Sequence, residues 1–376
     1  MPATGYTDAL NDALDRLADL GYERGVGADL ANHGPMGAEA LAATGHGDAV
    51  ADWVEGYRHA MPHHEVPAPR FPLDPADESS WRPALGDFSR AGDWEALFAR
   101  ELADAHWRDV LTRWWPRLTP GLLAGLTHGL IRTAHAVRSL SVVPDRPTPA
   151  QLTELARGLG YWAARFAHLP GEARLSGTHD LGAAIASVRR TPYPEGSRGR
   201  QAAGRRLAHP EELPGYADAL TAPAPGRAQW LLSEMTTEFA GVYLAHPEVF
   251  PVPLIHGVTA PAAARLVLPH LPAELHEPTV AALWHVQATL LLTFTQDRAE
   301  EADAVRVARE TEVEAPPFDE LVARAVEHGD EHVIKFTEAC RREHALRPDP
   351  RYAAAVTAAQ QRIRPRPARL KGRSHH

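Results

Sequence analysis

The stretch TPGLLAGLTHGLIRTAHAVRSL, residues 119–140, predicts a long helix and decides the fold class. It is strongly apolar for a helix of a soluble protein, and Pro120 suits a first helical turn, where its missing N–H leaves no hydrogen bond unmade. Residues 94–118, WEALFARELADAHWRDVLTRWWPRL, carry an apolar stripe at helical spacing that ends at Pro116. Residues 148–169, TPAQLTELARGLGYWAARFAHL, repeat the design of the first stretch. All three segments therefore predict apolar helices.

Helical spacing continues over most of the chain. A leucine repeat predicts a helix at the N-terminus, and alternating strand patterns with Asn-Gly or Asp-Gly turns are absent from the sequence. We therefore predict an all-α protein. The further predicted helices lie near residues 228–245, 260–270, 277–297, 315–327, 330–346 and 350–363.

Two segments depart from the pattern of apolar helices. Residues 187–227 are rich in Pro, Gly and Arg, which predicts a long surface loop or lid; a domain boundary is the alternative, but the helices on either side look alike. We therefore predict a single large helical domain over residues 1–346. Residues 347–376 are predicted to form a C-terminal helix followed by a basic, disordered tail.

The composition of the 376 residues excludes several classes of function. A net charge of −9 argues against a general nucleic-acid binder, and the single Cys340 excludes an internal disulfide framework and a Cys-rich zinc site. No apolar run is long enough for a membrane span, and the N-terminal MPATGYTDALND lacks the features of a signal peptide. We expect a soluble, cytoplasmic protein without nucleic-acid or membrane partners.

Four of the 21 histidines stand apart because each has an apolar or tightly turned sequence context. They are His33, His128, His256 and His332, and for any one of them alone a hydrogen-bonded core histidine is the more common explanation. His135 lies two helical turns after His128 on the same face. Because HExxH motifs and Cys pairs are absent from the sequence, a metal site here would have to be assembled between distant helices.

Five short segments, four of which contain a histidine, occur in a recognisable order. NHGPMGAEAL, HGLIRTAHAVR, GYWAARF, IHGVTAP and DEHVIK resemble the questin oxidase-like family, from about residue 20 to about residue 346. That family tailors aromatic polyketides, and its members are described as Baeyer–Villiger-type oxidases or as oxygenases that open anthraquinone rings. The resemblance implies a helical oxygenase.

The resemblance also implies a metal site, a mononuclear non-heme Fe(II) held by four histidines and one carboxylated lysine. Carried over to this sequence, the ligands are His33, His128, His256, His332 and, as a CO2-derived carbamate, Lys335. A carbamate offers the oxygen donors that an ammonium lacks, and mixed nitrogen and oxygen ligands suit iron. Five protein ligands leave one octahedral position, so we expect the substrate to stay outside the ligand sphere or a ligand to dissociate during turnover.

Several alternatives stay open for single residues. Lys335 could instead be an uncarboxylated surface lysine that pairs with Glu331 or Glu338. Asp330 could complement the helix dipole or orient a ligand histidine, and Arg132 could meet an acidic substrate oxygen or form a structural ion pair. The candidates for contact with the ligands or with a flat aromatic substrate, as opposed to core packing, are Arg132, His135, Tyr161, Trp162, Trp284, His285 and Asp330.

These inferences predict an iron-dependent oxygenase that acts on a polycyclic, anthraquinone-like polyketide with O2, inserting oxygen and cleaving a ring C–C bond. Whether one or two oxygen atoms are incorporated stays open. One alternative is a metal-free Baeyer–Villiger-type oxidase of the same family with NADPH as co-substrate, although no GxGxxG follows a strand. The other is a non-catalytic helical ligand-binding protein. A large apolar helix face could belong to the core or to a homodimer contact.

Overall fold

The computed structural model describes residues 3–27, 30–143, 146–197, 199–297, 301–312 and 315–366. The prediction of a disordered basic tail falls mainly on residues 367–376, which lie outside the described residues.

Within these described ranges the chain is almost entirely helical, with a single two-stranded sheet, so the all-α prediction is confirmed. The helices of the first half are α1 (Ala3–Arg16), α2 (Gly34–Ala43), α3 (Gly47–Ala60), α4 (Glu78–Trp81), α5 (Ala91–Asp104), α6 (Trp107–Leu118), α7 (His128–Val142), α8 (Pro149–Ala164) and α9 (Leu181–Ser187). Those of the second half are α10 (Gly199–Ala208), α11 (Tyr216–Ala219), α12 (Ala228–Ala245), α13 (Pro251–Val267), α14 (His276–Phe294), α15 (Ala304–Glu312), α16 (Phe318–His328), α17 (Glu331–Leu346) and α18 (Pro350–Arg362).

The remaining regular elements are short. Strands β1 (Glu23–Arg24) and β2 (Leu30–Ala31) pair antiparallel. Single 3₁₀ turns span Arg82–Ala84, Phe88–Arg90, Thr119–Gly121, Pro210–Glu212, Leu268–His270, Ala273–Leu275 and Glu301–Asp303.

The stretch 119–140 does not form one continuous helix, so the prediction of a helix starting at Pro120 is wrong. Thr119–Gly121 form a 3₁₀ turn, the chain then passes through three consecutive left-handed residues at positions 125–127, and α7 begins only at His128. Left-handed backbone cannot continue into a right-handed helix, which fixes the start of α7 at the histidine. The prediction of one apolar helix over residues 94–118 that ends at Pro116 is wrong as well. An extended Ala105 separates α5 from α6, and Pro116 lies inside α6.

The segment 187–227 is not an irregular loop. It contains α10 and α11, and α10 packs against α14. Arg206 of α10 donates hydrogen bonds to the backbone carbonyls of Leu292 and Pro192, which ties the segment to the end of α14. One large apolar core contains residues from both sides of this segment, from Tyr22 to Ile363.

One segment of the described chain, Pro251–His270, is long and apolar enough to pass a test for a membrane-crossing helix. It comprises α13 and the turn that follows, and 78% of its apolar window is buried against the rest of the protein. Such burial is typical of a core helix.

Four helices converge with their N-terminal ends near one point. α2 packs against α7 and α17, and α13 packs against α7 and α17. His33 is the N-cap residue of α2, His128 is the first residue of α7, His332 is the second of α17, and His256 lies in the second turn of α13. The fold therefore brings the four candidate ligands towards the N-terminal ends of four helices, each of which packs against two of the others.

A buried network of charged side chains ties these helices together further along their lengths. Glu39 of α2 accepts hydrogen bonds from Tyr6 of α1 and from Arg138 of α7, and Arg138 also pairs with Glu338 of α17. His135 also contacts Glu39 through Nδ1. Because each charge has a partner, the network holds α1, α2, α7 and α17 in a fixed arrangement without an unpaired buried ion.

Ion pairs between α17 and α13 extend the network to α13, the helix that carries His256. Arg265 of α13 donates to both carboxylate oxygens of Glu343 at 3.0 Å, and Arg342 donates to Glu338 at 3.0 Å and to the carbonyl of Ala262 at 2.9 Å. α13 is thereby joined to the same set of ion pairs as α2 and α7. The relative positions of all four helices thus depend on side chains outside the histidine cluster.

Close packing beside the cluster gives a first prediction, on Gly129. A Cβ at Gly129 would lie 2.6 Å from the backbone Cα of Trp162, whereas a Cβ at Gly56, inside α3, would meet nothing within 4 Å. Gly129→Ala should lower the free energy of unfolding by about 2 kcal/mol because α7 and α8 must separate. Gly56→Ala should leave it unchanged or raise it by up to about 1 kcal/mol. Equal effects of the two substitutions in urea unfolding would contradict the packing described.

The ion network gives a second prediction, on Glu39→Gln. Burial raises the pKa of Glu39, but Arg138 and His135 outweigh it and lower the pKa from 4.5 to about 2. The stabilising contribution of the carboxylate is therefore complete above pH 4.5 and is lost as the pH falls towards 2. The substitution should cost about 3 kcal/mol at neutral pH and flatten the acid dependence of stability.

Urea unfolding at neutral pH and at about pH 3 tests this prediction. Glu320→Gln is the matched control, because Glu320 forms an exposed ion pair with Arg324 and its loss should change stability by less than about 0.5 kcal/mol. A Glu39→Gln variant that loses less than about 1 kcal/mol would show that the network does not hold the helices.

Candidate metal centre

The four histidines predicted from the sequence lie together. One ring nitrogen from each of His33, His128 and His332 lies within 4.8 Å of the other two. The ring of His33 packs against those of His128 and His332 with centroids 4.4 and 4.5 Å apart. The fourth ring, that of His256, lies 4.7 Å from His128 by centroid, with the two Nε2 atoms 3.2 Å apart. Residues from four separate helices thus form one buried cluster.

Two of the histidines are held by backbone carbonyl groups. The Nδ1 atom of His128 hydrogen-bonds the carbonyl oxygen of Gly125, and Nδ1 of His256 lies 2.9 Å from the carbonyl oxygen of Val252. A carbonyl only accepts hydrogen bonds, so Nδ1 must carry the proton in both rings. In the neutral form the Nε2 atoms of both therefore present lone pairs.

The other two histidines face carboxylates. Nδ1 of His332 lies 3.3 Å from Oδ1 of Asp330. Nδ1 of His33 lies 3.9 Å from Oε1 of Glu331, too far for a hydrogen bond, and has no other partner among the described residues. Metal-ligating histidines typically donate the distal N–H to a carboxylate or a backbone carbonyl, which fixes the ring and increases the basicity of the ligating nitrogen. Three of the four rings, those of His128, His256 and His332, are oriented in this way, whereas His33 only faces Glu331.

The contact between Nε2 of His128 and Nε2 of His256 cannot be an ordinary hydrogen bond between two neutral rings. Both Nδ1 protons are donated to carbonyls, so two Nε2 lone pairs face each other at 3.2 Å unless a proton or a cation lies between them. Burial lowers the pKa of both rings, that of His256 to about 3, which disfavours the proton. Metal–nitrogen bonds of about 2.1 Å at right angles would place two ligand nitrogens about 3 Å apart. The spacing fits two neighbouring ligands of one metal ion.

A strained turn positions His128. Gly125, Leu126 and Thr127 have φ values of 53°, 56° and 68°. Left-handed backbone costs non-glycine residues roughly 1–2 kcal/mol each, and here two of the three are not glycine. The turn places the Gly125 carbonyl against Nδ1 of His128, and the Thr127 side chain is fully buried with its hydroxyl unpartnered in the described structure. Strain of this kind occurs where a local geometry is required by a site.

Lys335 is buried beside His332, one helical turn along α17. Its side chain is 4% exposed, so the alternative of a surface lysine is wrong. Among the described residues it forms no ion pair. Both carboxylates proposed for that alternative are engaged elsewhere, Glu331 by Arg24 and Arg366 and Glu338 by Arg138 and Arg342.

The surroundings of Lys335 favour its neutral amine. Burial is the main cause that lowers the pKa of Lys335 from 10.5 to about 7; Asp330 opposes the shift and the positive charge of Arg24 adds to it. Near neutral pH a substantial fraction of the side chain is then the free amine, which is the form that reacts with CO2.

Asp330 has both of the roles considered from the sequence. Its carboxylate caps α17 by accepting hydrogen bonds from the backbone N–H groups of His332 and Val333, and the same oxygen contacts the ring of His332. Although burial raises the pKa of Asp330, its contacts with His332 lower it to about 2. The residue remains a carboxylate that both starts the helix and orients a candidate ligand.

Arg132 and His135 are engaged away from the cluster. Arg132 is buried in a bidentate ion pair with Glu154, with distances of 2.6 and 2.8 Å, which corresponds to the structural alternative and leaves no support for a substrate contact. His135 contacts Glu39 within the ion network and is not part of the histidine cluster.

The predicted aromatic wall is not formed by the residues named for it. Tyr161, Trp162 and Trp284 are core side chains whose polar atoms are satisfied; the indole of Trp162, for example, donates to the carbonyl of Gly121 at 3.1 Å. His285 instead lines a separate cleft of about 730 Å³, where its Nε2 lies 2.6 Å from the hydroxyl of Tyr216.

A cavity of about 760 Å³ adjoins the cluster. Its wall includes Leu126, from the strained turn, and Val252, whose carbonyl holds His256. Other parts of the wall come from the segment 187–227 and include Tyr193 and Arg200. These lining residues were not predicted from the sequence. The Pro-, Gly- and Arg-rich composition of 187–227, which predicted a loop or lid, was the one feature that pointed to part of this wall.

Comparison with known proteins does not identify a family for this chain. No model of a known protein family matches the chain, and no curated protein matches it.

The dual role of Asp330 gives a third prediction. Asp330→Ser retains a good helix cap, so stability should change by less than about 0.5 kcal/mol. The shorter side chain cannot reach the ring of His332, and metal affinity should fall by about 10- to 100-fold. Asp330→Asn, which retains the oxygen but loses the charge, should lie between this variant and the wild type in an anaerobic Fe(II) titration. Unchanged affinity in Asp330→Ser would contradict the role of Asp330 in orienting His332.

Proposed function

We propose that the protein is a non-heme iron-dependent oxygenase that acts on a polycyclic aromatic polyketide of the anthraquinone type. The proposal depends above all on the facing Nε2 atoms of His128 and His256, whose spacing fits two ligands of one metal ion. The motifs that resemble the questin oxidase-like family supply the substrate class and the reaction, oxygen insertion with cleavage of a ring C–C bond.

The donor set is compatible with iron. Four imidazoles together with a carbamate on Lys335 would give mixed nitrogen and oxygen ligands, an environment common among non-heme iron oxygenases. Cys340, the single cysteine of the chain, is not grouped with the histidines among the described residues, so it adds no thiolate to the cluster. Iron bound there would supply the chemistry of O2, while the protein supplies ligands, orientation and a site shielded from water.

The helix arrangement favours negative charge at the site. The N-terminal ends of α2, α7 and α17 lie at the cluster, and helix N-termini carry a partial positive charge. The buried Arg24 adds a positive charge nearby, which its ion pair with Glu331 partly offsets. A carbamate ligand and an anionic oxygen of an acidic phenol would both be stabilised there, whereas a metal held by neutral ligands alone would not be.

The adjoining cavity suits a flat, mostly apolar molecule. Leu126, Val252 and Phe250 supply apolar surface, and Phe250 is 56% exposed, which is unusual for a phenylalanine. The guanidinium of Arg200 lies 5.7 Å from the centre of the Phe250 ring and could meet an acidic oxygen of the substrate. The volume of about 760 Å³ lies in the range of small-molecule sites.

Metal analysis and turnover of histidine variants test the proposal. After anaerobic loading with Fe(II), the wild type should retain one iron per chain, and His128→Ala and His256→Ala should retain none. His285→Gln is the matched control, because His285 is also a mostly buried histidine but lies at the separate cleft. It should retain iron.

The reaction itself is tested with hydroxyanthraquinones and their reduced forms under labelled O2. The wild type should give a ring-opened or lactone product with label, and both alanine variants should give none. Full turnover by metal-free protein with NADPH would instead favour the metal-free oxidase, and iron-independent binding without turnover would favour a ligand-binding protein.

A further prediction concerns Lys335. Lys335→Ala should lose at least about tenfold in iron affinity because it removes the one anionic ligand. Short carboxylic acids added to this variant should restore part of the affinity by occupying the vacated volume. Normal iron content and activity in Lys335→Ala would exclude the carbamate.

A further inference from the structure

Arg24 is a buried arginine with unsatisfied hydrogen-bond donors. It lies in β1, is 5% exposed, and uses Nη2 to pair with Oε1 of Glu331. Its guanidinium lies 4.3 Å from the centre of the Tyr57 ring. Nε and Nη1 are buried and have no partner among the described residues. Leaving buried donors of a charged group unpaired is unfavourable, so an acceptor beside them is expected.

The contacts of Arg24 place it next to the candidate metal centre. Glu331, its partner, lies four residues before Lys335 on α17, and residues at that spacing share one helix face. The same Glu331 oxygen lies 3.9 Å from Nδ1 of His33. Arg24 therefore pairs with a carboxylate that lies one helical turn before Lys335 and faces His33.

Two buried cations near the candidate metal centre are energetically unfavourable in the absence of a further anion. Lys335 is buried without an ion-pair partner in the described structure, and Arg24, a second buried cation, lies nearby with free donors. Two positive charges buried near each other repel in a medium of low dielectric constant. A planar anion attached to the Lys335 nitrogen would remove one of the positive charges and give the donors of Arg24 an acceptor.

We propose that Arg24 is the positioning residue for a carbamate on Lys335, holding it through N–H groups that are otherwise unpaired. This inference rests on the proposed iron centre and adds the residue that makes its lysine ligand possible. The nitrogen of Lys335, as a free amine, attacks the carbon of CO2. A C–N bond forms, the electron pair of one C=O bond moves to oxygen, and the nitrogen releases a proton to water. The guanidinium then binds the resulting carboxylate, for which its planar donors are well matched.

Arg366 provides a matched control. It pairs with the other oxygen of the same Glu331 and stacks on Tyr57, with its guanidinium 5.1 Å from the ring centre. It also lies 5.1 Å from the Trp53 ring. Replacing Arg366 thus removes a cation from the same carboxylate and the same tyrosine, but not the residue assigned to the carbamate.

The experiment measures how bicarbonate changes the affinity for Fe(II). Full-length wild type, Arg24→Gln, Arg24→Lys and Arg366→Gln are stripped of metal and titrated anaerobically with Fe(II), with CO2 excluded or with bicarbonate added. Carbon-13 NMR with labelled bicarbonate detects the carbamate directly. Bicarbonate should strengthen iron binding by the wild type and Arg366→Gln by about tenfold or more, the effect of one charge-assisted hydrogen bond on an ionic ligand.

Arg24→Gln should show little bicarbonate effect and no carbamate signal. Arg24→Lys retains the ion pair with Glu331, which protects the fold if Arg24→Gln is unstable, but it loses the planar donors and should show a reduced effect. Equal bicarbonate enhancement in Arg24→Lys, Arg366→Gln and the wild type would overturn the inference.

Two further outcomes separate this inference from the proposed function. A wild type that binds iron equally with and without CO2 overturns the role of Arg24 but leaves the iron centre standing, whereas a wild type that binds no iron overturns both. If bicarbonate strengthens iron binding to Lys335→Met as much as to the wild type, the donors of Arg24 hold a dissolved anion and the carbamate inference is overturned.

Discussion

Two imidazole nitrogens facing each other without a proton between them are the constraint on which the rest of the site depends. The carbonyls of Gly125 and Val252 take the Nδ1 protons of His128 and His256, and burial opposes a second proton on either ring. A metal ion bound by both Nε2 atoms would remove this conflict between the two lone pairs. A polar cluster of this kind in the core of a protein would otherwise be strongly destabilising.

The surrounding fold is arranged to hold that geometry. The left-handed turn before α7 places a carbonyl where His128 needs it, and the cap of α17 uses the carboxylate that orients His332. Further along the helices, the ion pairs centred on Glu39 and Glu343 fix how α2, α7, α13 and α17 pack. The N-terminal ends of three helices and the buried Arg24 lie beside the cluster, where a carbamate on Lys335 would add a negative group.

The sequence predicts the helical class and the residues of the cluster, but not how they are held. Apolar spacing is local, so α8, α12, α14 and α17 could be located from it. The start of α7 could not, because Leu126 and Thr127 adopt left-handed backbone that their side chains disfavour and only the tertiary structure enforces. Glu331 pairs with a residue 307 positions away, so no local pattern indicated Arg24. Arg132 and the tryptophans were ambiguous because core packing and pocket lining use the same residue types.

The central claim is tested most directly by a crystal structure of the Fe(II)-loaded protein with anomalous diffraction recorded at the iron edge. The account predicts one iron peak per chain, bonded at about 2.0–2.3 Å to Nε2 of both His128 and His256, with His33 and His332 completing the set. The absence of iron between these two rings, or a structure in which one ring has turned so that its Nδ1 proton no longer meets the carbonyl, would contradict it.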